Sequence, residues 1–142
     1  MPAGPAVAVA VTFVWLGMVL AISFIEAPLK FQAPGVTVRI GLGIGRLVFR
    51  TLNAVEAGFA VALVVLAFVH DAPAAAVMAG AVAVALLLAQ LLLVRPALNR
   101  RSDAILAGDD DVPRSRGHLA YVALEVLKTA ALVVTGVALL AS

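Results

Sequence analysis

The sequence contains no cysteine, which excludes disulfide bonds, cysteine-ligated zinc or iron–sulfur sites, and dithiol redox chemistry. Charged residues are also scarce: they make up 13% of the 142 residues, whereas soluble domains contain roughly a quarter. No Lys or Arg precedes Lys30, so the amino terminus lacks the basic region of a secretory signal. We therefore expect the first apolar segment to be retained as part of the fold.

Apolar residues fill most of the chain: 64% of it is hydrophobic, and the mean hydropathy is +1.14. Four apolar segments, at about 6–25, 46–69, 74–94 and 118–140, are each long enough to cross roughly 30 Å of hydrocarbon. Glu26, Pro28 and Lys30 are expected to end the first segment. The pattern predicts an all-α integral membrane four-helix bundle that forms a single domain over 1–142.

The basic residues indicate the orientation of these spans. Nine of the ten Lys and Arg residues fall in the two stretches 26–45 and 95–117 or at the start of the second span. Short basic loops are retained in the cytoplasm, so we predict cytoplasmic loops at 26–45 and 95–117 and both termini on the other side. We expect the cytoplasmic membrane of a bacterium, and no nucleic-acid partner, because orientation already accounts for the positive charge.

Two spans carry polar side chains along one face. At 100° per residue, each of two sets falls on one side of its helix, within an arc of roughly 80° on the fourth span and roughly 120° on the second. The fourth span carries His118, Tyr121, Glu125 and Lys128, and the second carries Arg46, Arg50, Asn53 and Glu56. Charged groups inside a membrane usually face the bundle and pair, so these faces are expected to meet.

The depths of these residues predict their partners. Glu56 lies ten residues beyond Arg46, and Lys128 ten beyond His118, which is about 15 Å along each axis. We therefore predict an ion pair between Glu56 and Lys128, with Glu125 one turn away meeting Asn53 or Arg50. The candidate polar cluster comprises Glu56, Glu125, Lys128, Asn53, Arg50, His118 and Tyr121, with Glu26, Lys30, Arg46 and Arg95 as secondary members.

Three functions are compatible with such a cluster. A small accessory or assembly protein would use it to hold the bundle together, and a dry ion pair would favour this hypothesis. A proton- or cation-coupled transporter would use the intramembrane acids, and a cytoplasmic cavity reaching Glu56 would favour it. A lipid- or quinone-acting enzyme would use His118, Tyr121 and Glu125 as acid–base groups. The sequence favours a protein that is not an enzyme, so no catalytic residue is assigned.

Other motifs carry weaker signals. The run Gly41 to Gly45 lacks the strand and the spacing of a dinucleotide loop and is typical of close helix packing. The run Asp109 to Asp111 lacks the alternating ligands of a calcium loop and is typical of a solvated segment. We expect no cofactor and no metal. The many small residues favour a homo-oligomer or contact with other membrane subunits within the lipid bilayer.

Short motifs at the basic ends of the spans resemble those of a known family. They are the stretches Phe24 to Phe31, Gly45 to Phe49, Val94 to Asn99, and His118 to Tyr121. These stretches resemble the transmembrane protein 205-like family, a group of four-span membrane proteins. The resemblance implies a compact four-helix membrane fold without established catalytic residues, and Glu56, Glu125 and Lys128 match no signature of that family.

Overall fold

A computed structural model of the chain describes residues 1–108 and 116–142, with Arg116 described by its backbone alone. Its four long helices are α1 (Ala3–Gln32), α2 (Val38–Val69), α3 (Ala74–Leu106) and α4 (Arg116–Leu140). Each is long and apolar enough to cross a membrane, and the described residues contain no strand. The all-α class is therefore confirmed. The acidic run Asp109 to Asp111 lies outside the described residues.

The helices extend further than the predicted spans. Pro28 does not end α1, which continues to Gln32, and α3 passes through Pro96 to Leu106. In both helices a wide π-helical turn comes just before the proline, at Leu20–Glu26 and at Gln90–Val94. Proline lacks an N–H and clashes with the carbonyl four residues earlier, so a wide turn lets the helix continue.

A short turn reverses the chain between α1 and α2. Gly35 adopts a φ of 82°, in the left-handed region that glycine tolerates best. The Thr37 hydroxyl then accepts a hydrogen bond from the Ile40 N–H at 3.2 Å, which caps the start of α2. Most of the predicted loop 26–45 is therefore helical. The turn at Gly35 and the helix cap at Thr37 both lie near its centre.

The helices pack around an apolar core, in which α1 contacts both α2 and α4, and α3 packs most extensively on α4. The core contains Trp15, Leu16, Val19, Ala60, Ala83, Leu87, Ala131 and Leu132. A smaller group of Ala8, Ala76 and Leu139 lies nearer the chain termini. We call the opposite end, where Lys30, Arg46 and Arg95 lie, the basic end.

The ring of Phe31, near the end of α1, lies against α2 at Gly41, where a larger residue would fit only if that ring moved. A Cβ added to Gly41 would overlap the Phe31 ring, whereas one added to Gly43 would meet nothing within 4 Å. We expect Gly41→Ala to lower the free energy of unfolding by about 1–3 kcal/mol because Phe31 must move.

Gly43→Ala is the matched control for this substitution. It should leave stability unchanged or raise it by up to about 1 kcal/mol, since alanine favours helix over glycine. Detergent-induced unfolding followed by circular dichroism measures both effects. Equal midpoints for the two variants would contradict the predicted contact with Phe31.

Candidate functional site

The Lys128 ammonium is the centre of a buried polar cluster. Its Nζ lies 2.5 Å from Glu56 Oε1 and 2.6 Å from Glu125 Oε1, and it donates a hydrogen bond to Gln90 Oε1 at 2.8 Å. Glu56, Gln90 and Lys128 are 0% exposed, and Glu125 is 1% exposed. The predicted pair of Glu56 and Lys128 is therefore present, and it joins α2 to α4.

Side chains from the other two helices complete this cluster. Trp15 on α1 donates its indole N–H to Glu56 Oε1 at 2.9 Å. Ser23, also on α1, donates to Glu125 Oε2 at 2.6 Å. Gln90 on α3 donates its amide N–H to Glu125 Oε1 at 3.2 Å. Every helix thus contributes at least one hydrogen-bonding side chain to one connected network.

The cluster contains more carboxyl groups than cations. Glu56 and Glu125 share the single ammonium of Lys128, so the network is neutral only when the two carboxyl groups together carry one proton. Glu56 Oε2 is buried and has no hydrogen-bond partner within the described residues. Asn53 Oδ1, three residues earlier on the same helix, is also buried and unpartnered there. The α2 side of the cluster therefore has unused acceptor capacity.

The π-helical turns place two members of the cluster. Ser23 lies within the wide turn of α1, and Gln90 begins the wide turn of α3. A wide turn rotates the residues after it relative to a regular α-helix, and such turns frequently occur at functional sites. Proline at 28 and 96 therefore affects the cluster indirectly, through the register of the turns that precede it.

A cavity of about 430 Å³ opens at the basic end, next to this cluster. Glu125 and Ser23 line it, but Glu56 and Lys128 do not, so the central ion pair is closed off from the cavity. The cations that line it are Lys30, Arg46, Arg95 and Arg101, accompanied by His118, Asn99 and Ser102. Phe24, Phe31, Phe49 and Tyr121 supply aromatic surface. The cavity is therefore both basic and aromatic.

Ion pairs offset part of this positive charge. Lys30 lies 3.8 Å from Glu26, and Arg46 forms an exposed ion pair with Asp103. Arg95 instead contacts two rings: its guanidinium carbon is 4.6 Å from the centre of the Tyr121 ring and 5.2 Å from that of Phe49. Its charge is stabilised by cation–π contacts rather than by a carboxylate among the described residues.

Several of the predicted site residues lie elsewhere than expected. Glu125 does not meet Asn53 or Arg50, because Lys128 is only three residues away on the same helix face. Arg50 is exposed and stands outside the cluster. Asn53 is buried beside it, and its side-chain carbonyl oxygen accepts no hydrogen bond from the described residues. His118 and Tyr121 line the cavity rather than contacting the ion pair.

Three members of the cluster were not predicted from the sequence, namely Trp15, Ser23 and Gln90. Gln90 is the one polar residue of its apolar segment, and Trp15 lies too deep for an aromatic residue at the membrane surface. Both features signal a buried polar contact. Ser23 carries no comparable signal, because a serine hydroxyl can bond to its own helix backbone.

A second cavity, of about 420 Å³, lies at the opposite end and is almost entirely apolar. Ala8, Leu63, Thr135 and His70 are among its lining residues. His70 and His118 therefore line different cavities.

Comparison of the chain with protein-family models, curated proteins and solved structures gave no match. The resemblance to the transmembrane protein 205-like family therefore stays a prediction.

Proposed function

We propose that this protein is a small integral membrane accessory protein whose four spans are locked together by the buried cluster. The observation that supports this proposal is the closed ion pair of Glu56 and Lys128, both 0% exposed, in one network with Trp15 and Gln90. Interhelical polar contacts of this kind hold membrane bundles together. The cluster's first role is then structural, and no catalytic residue is assigned.

In this proposal the basic end faces the cytoplasm. Lys30, Arg46, Arg95 and Arg101 gather there, and short basic segments are retained on the cytoplasmic side during insertion. The bilayer covers large apolar side chains such as Phe68, Leu93 and Leu47, which are 87%, 75% and 68% exposed. A second copy of the chain or another membrane subunit would contact the same apolar faces. A bacterial cytoplasmic membrane is the proposed location.

One observation favours a second candidate function, a small proton-coupled carrier. Glu125 belongs to the cluster and also lines the basic cavity, so a proton could pass between the cavity and the cluster. The apolar core around Trp15 and Leu132 would then close the other side. This is the arrangement of a carrier that is open at one end.

Proton flux distinguishes the two proposals. The protein is reconstituted in vesicles that contain a pH-sensitive dye, and a potassium diffusion potential is imposed with valinomycin. An accessory protein is expected to give the same rate of internal pH change as protein-free vesicles. A rate at least tenfold higher that Glu125→Gln abolishes would contradict the accessory proposal and show that protons cross the membrane by way of Glu125. Glu26→Gln is the matched control, because Glu26 lies at the basic end but outside the cluster.

A further inference from the structure

The buried hydrogen-bond donors beside the basic cavity include three without a partner. Arg95 Nε, Arg95 Nη2 and the Tyr121 hydroxyl make no hydrogen bond of normal geometry with any other described residue, although the Arg95 guanidinium and the Tyr121 hydroxyl lie close to each other. Tyr121 is 6% exposed, and both residues line the cavity. Buried donors without an acceptor destabilise a fold, so a group of three at one cavity wall indicates an acceptor that enters from outside.

The two unpartnered nitrogen atoms of Arg95, Nε and Nη2, indicate which kind of acceptor would fit. Nε–H and Nη2–H point from the same edge of the guanidinium plane and form a two-pronged fork. Such a fork matches two oxygens of one phosphate or carboxylate group. The rings of Phe49 and Tyr121 hold the guanidinium by cation–π contacts, which limits its freedom before the ligand arrives.

The charge around the cavity favours an anion. Arg95 is the lining cation that meets aromatic rings in place of a described carboxylate, and Glu125 is the one described carboxylate in the cavity wall. Glu125 already accepts hydrogen bonds from Ser23 and Gln90 and lies 2.6 Å from Lys128 Nζ, so its charge is offset from within the bundle. Glu26 and Asp103 pair with Lys30 and Arg46, and neither of them lines the cavity.

We propose that this cavity binds a phosphate-class oxyanion on Arg95 and Tyr121, with the aromatic wall contacting an apolar portion of the ligand. Phe24, Phe31 and Phe49 form that wall. A phospholipid headgroup and a free phosphate share the recognised chemistry, and the experiment distinguishes these sources. Binding goes beyond the proposed accessory role and holds whether or not the buried cluster moves protons.

The experiment uses the full chain in phosphatidylcholine nanodiscs and two probes, phosphatidic acid and inorganic phosphate. Thermal unfolding is followed through Trp15, the single tryptophan, which is fully buried. We expect phosphatidic acid to raise the midpoint by several degrees, since a ligand that binds only the folded state stabilises it. If inorganic phosphate alone raises the midpoint equally, the ligand is a free oxyanion; if it does not, the source is a lipid headgroup.

Substitutions of Arg95 distinguish recognition by its two N–H groups from general attraction by its positive charge. Arg95→Gln and Arg95→Lys are each expected to weaken the apparent affinity about tenfold or more, because lysine retains the charge but not the fork. Arg100→Gln is the matched control: Arg100 is an exposed arginine of the same helix that does not line the cavity. Its affinity should change less than twofold.

Tyr121→Phe keeps the ring and removes only the unpartnered hydroxyl. We expect it to fold at least as stably as the unchanged protein without ligand and to bind about threefold to tenfold more weakly. A structural role of the hydroxyl would give the opposite pattern. Equal losses in Arg95→Gln and Arg100→Gln, or no shift of the midpoint with either probe, would overturn the proposal.

Discussion

Replacing Lys128 with Met is expected to lower the free energy of unfolding by about 3–5 kcal/mol, the largest effect we predict for a single substitution. Lys128 is 0% exposed and is the one cation in contact with both Glu56 and Glu125 within the described residues. Without it, two carboxylates would remain buried with no counter-charge. Detergent-induced unfolding of the purified protein measures the change.

A second substitution tests whether this effect arises from the ion pair. Adding Glu56→Gln to Lys128→Met removes one of the uncompensated carboxylates, so part of the lost stability should return. Lys30→Met is the matched control: Lys30 contacts Glu26 and the rings of Phe31 and Phe49 at the basic end and does not contact Glu56, so Glu56→Gln should restore none of the stability that this substitution removes. If the single and double variants unfold at the same detergent concentration, the pairing does not contribute as described.

Replacing Gln90 with Leu is expected to have the second-largest effect, a loss of about 2–3 kcal/mol. The Gln90 amide accepts from Lys128 and donates to Glu125, and hydrogen bonds to charged groups contribute about 1.5–3 kcal/mol. It also donates to the Tyr121 backbone carbonyl at 3.4 Å. Leucine has a similar volume, so the change reports mainly on these lost hydrogen bonds.

Gln32→Leu provides the control for this substitution. Gln32 is exposed at the end of α1, and no hydrogen bond of its side chain is described, so its replacement should change stability by less than about 0.5 kcal/mol. The same unfolding measurement applies to both variants. A loss below 0.5 kcal/mol for Gln90→Leu would show that Gln90 does not link α3 to the cluster.

Much of the cluster could be predicted, because in a regular helix the sequence position of a residue fixes the side of the helix on which its side chain lies. Glu56 and Lys128 occupy equivalent depths in two spans, and hydrocarbon penalises a lone charge, so their pairing follows from spacing alone. The same reasoning was wrong for Glu125. Its depth suggested Asn53 or Arg50, but the ammonium three residues away on its own helix is nearer.

Ser23 and Gln90 could not be placed by helical spacing. Each lies in a π-helical turn that precedes a proline, and the turn changes the angle at which the following residues leave the helix axis. Pro28, with Glu26 and Lys30, led to the prediction that α1 ends there. Neighbouring helices compensate for the missing N–H in membrane bundles, and no local pattern reveals that compensation.

The sequence by itself determined that four apolar helices form, and that Glu56 and Lys128 lie at equivalent depths on the polar faces of their helices, because composition and helical period act within single segments. Only the tertiary structure decided that Trp15, Ser23 and Gln90 complete the cluster and that Arg95 contacts the rings of Phe49 and Tyr121. These contacts join residues on different helices. They depend on the rotation and separation of packed helices, which no single segment of the chain encodes.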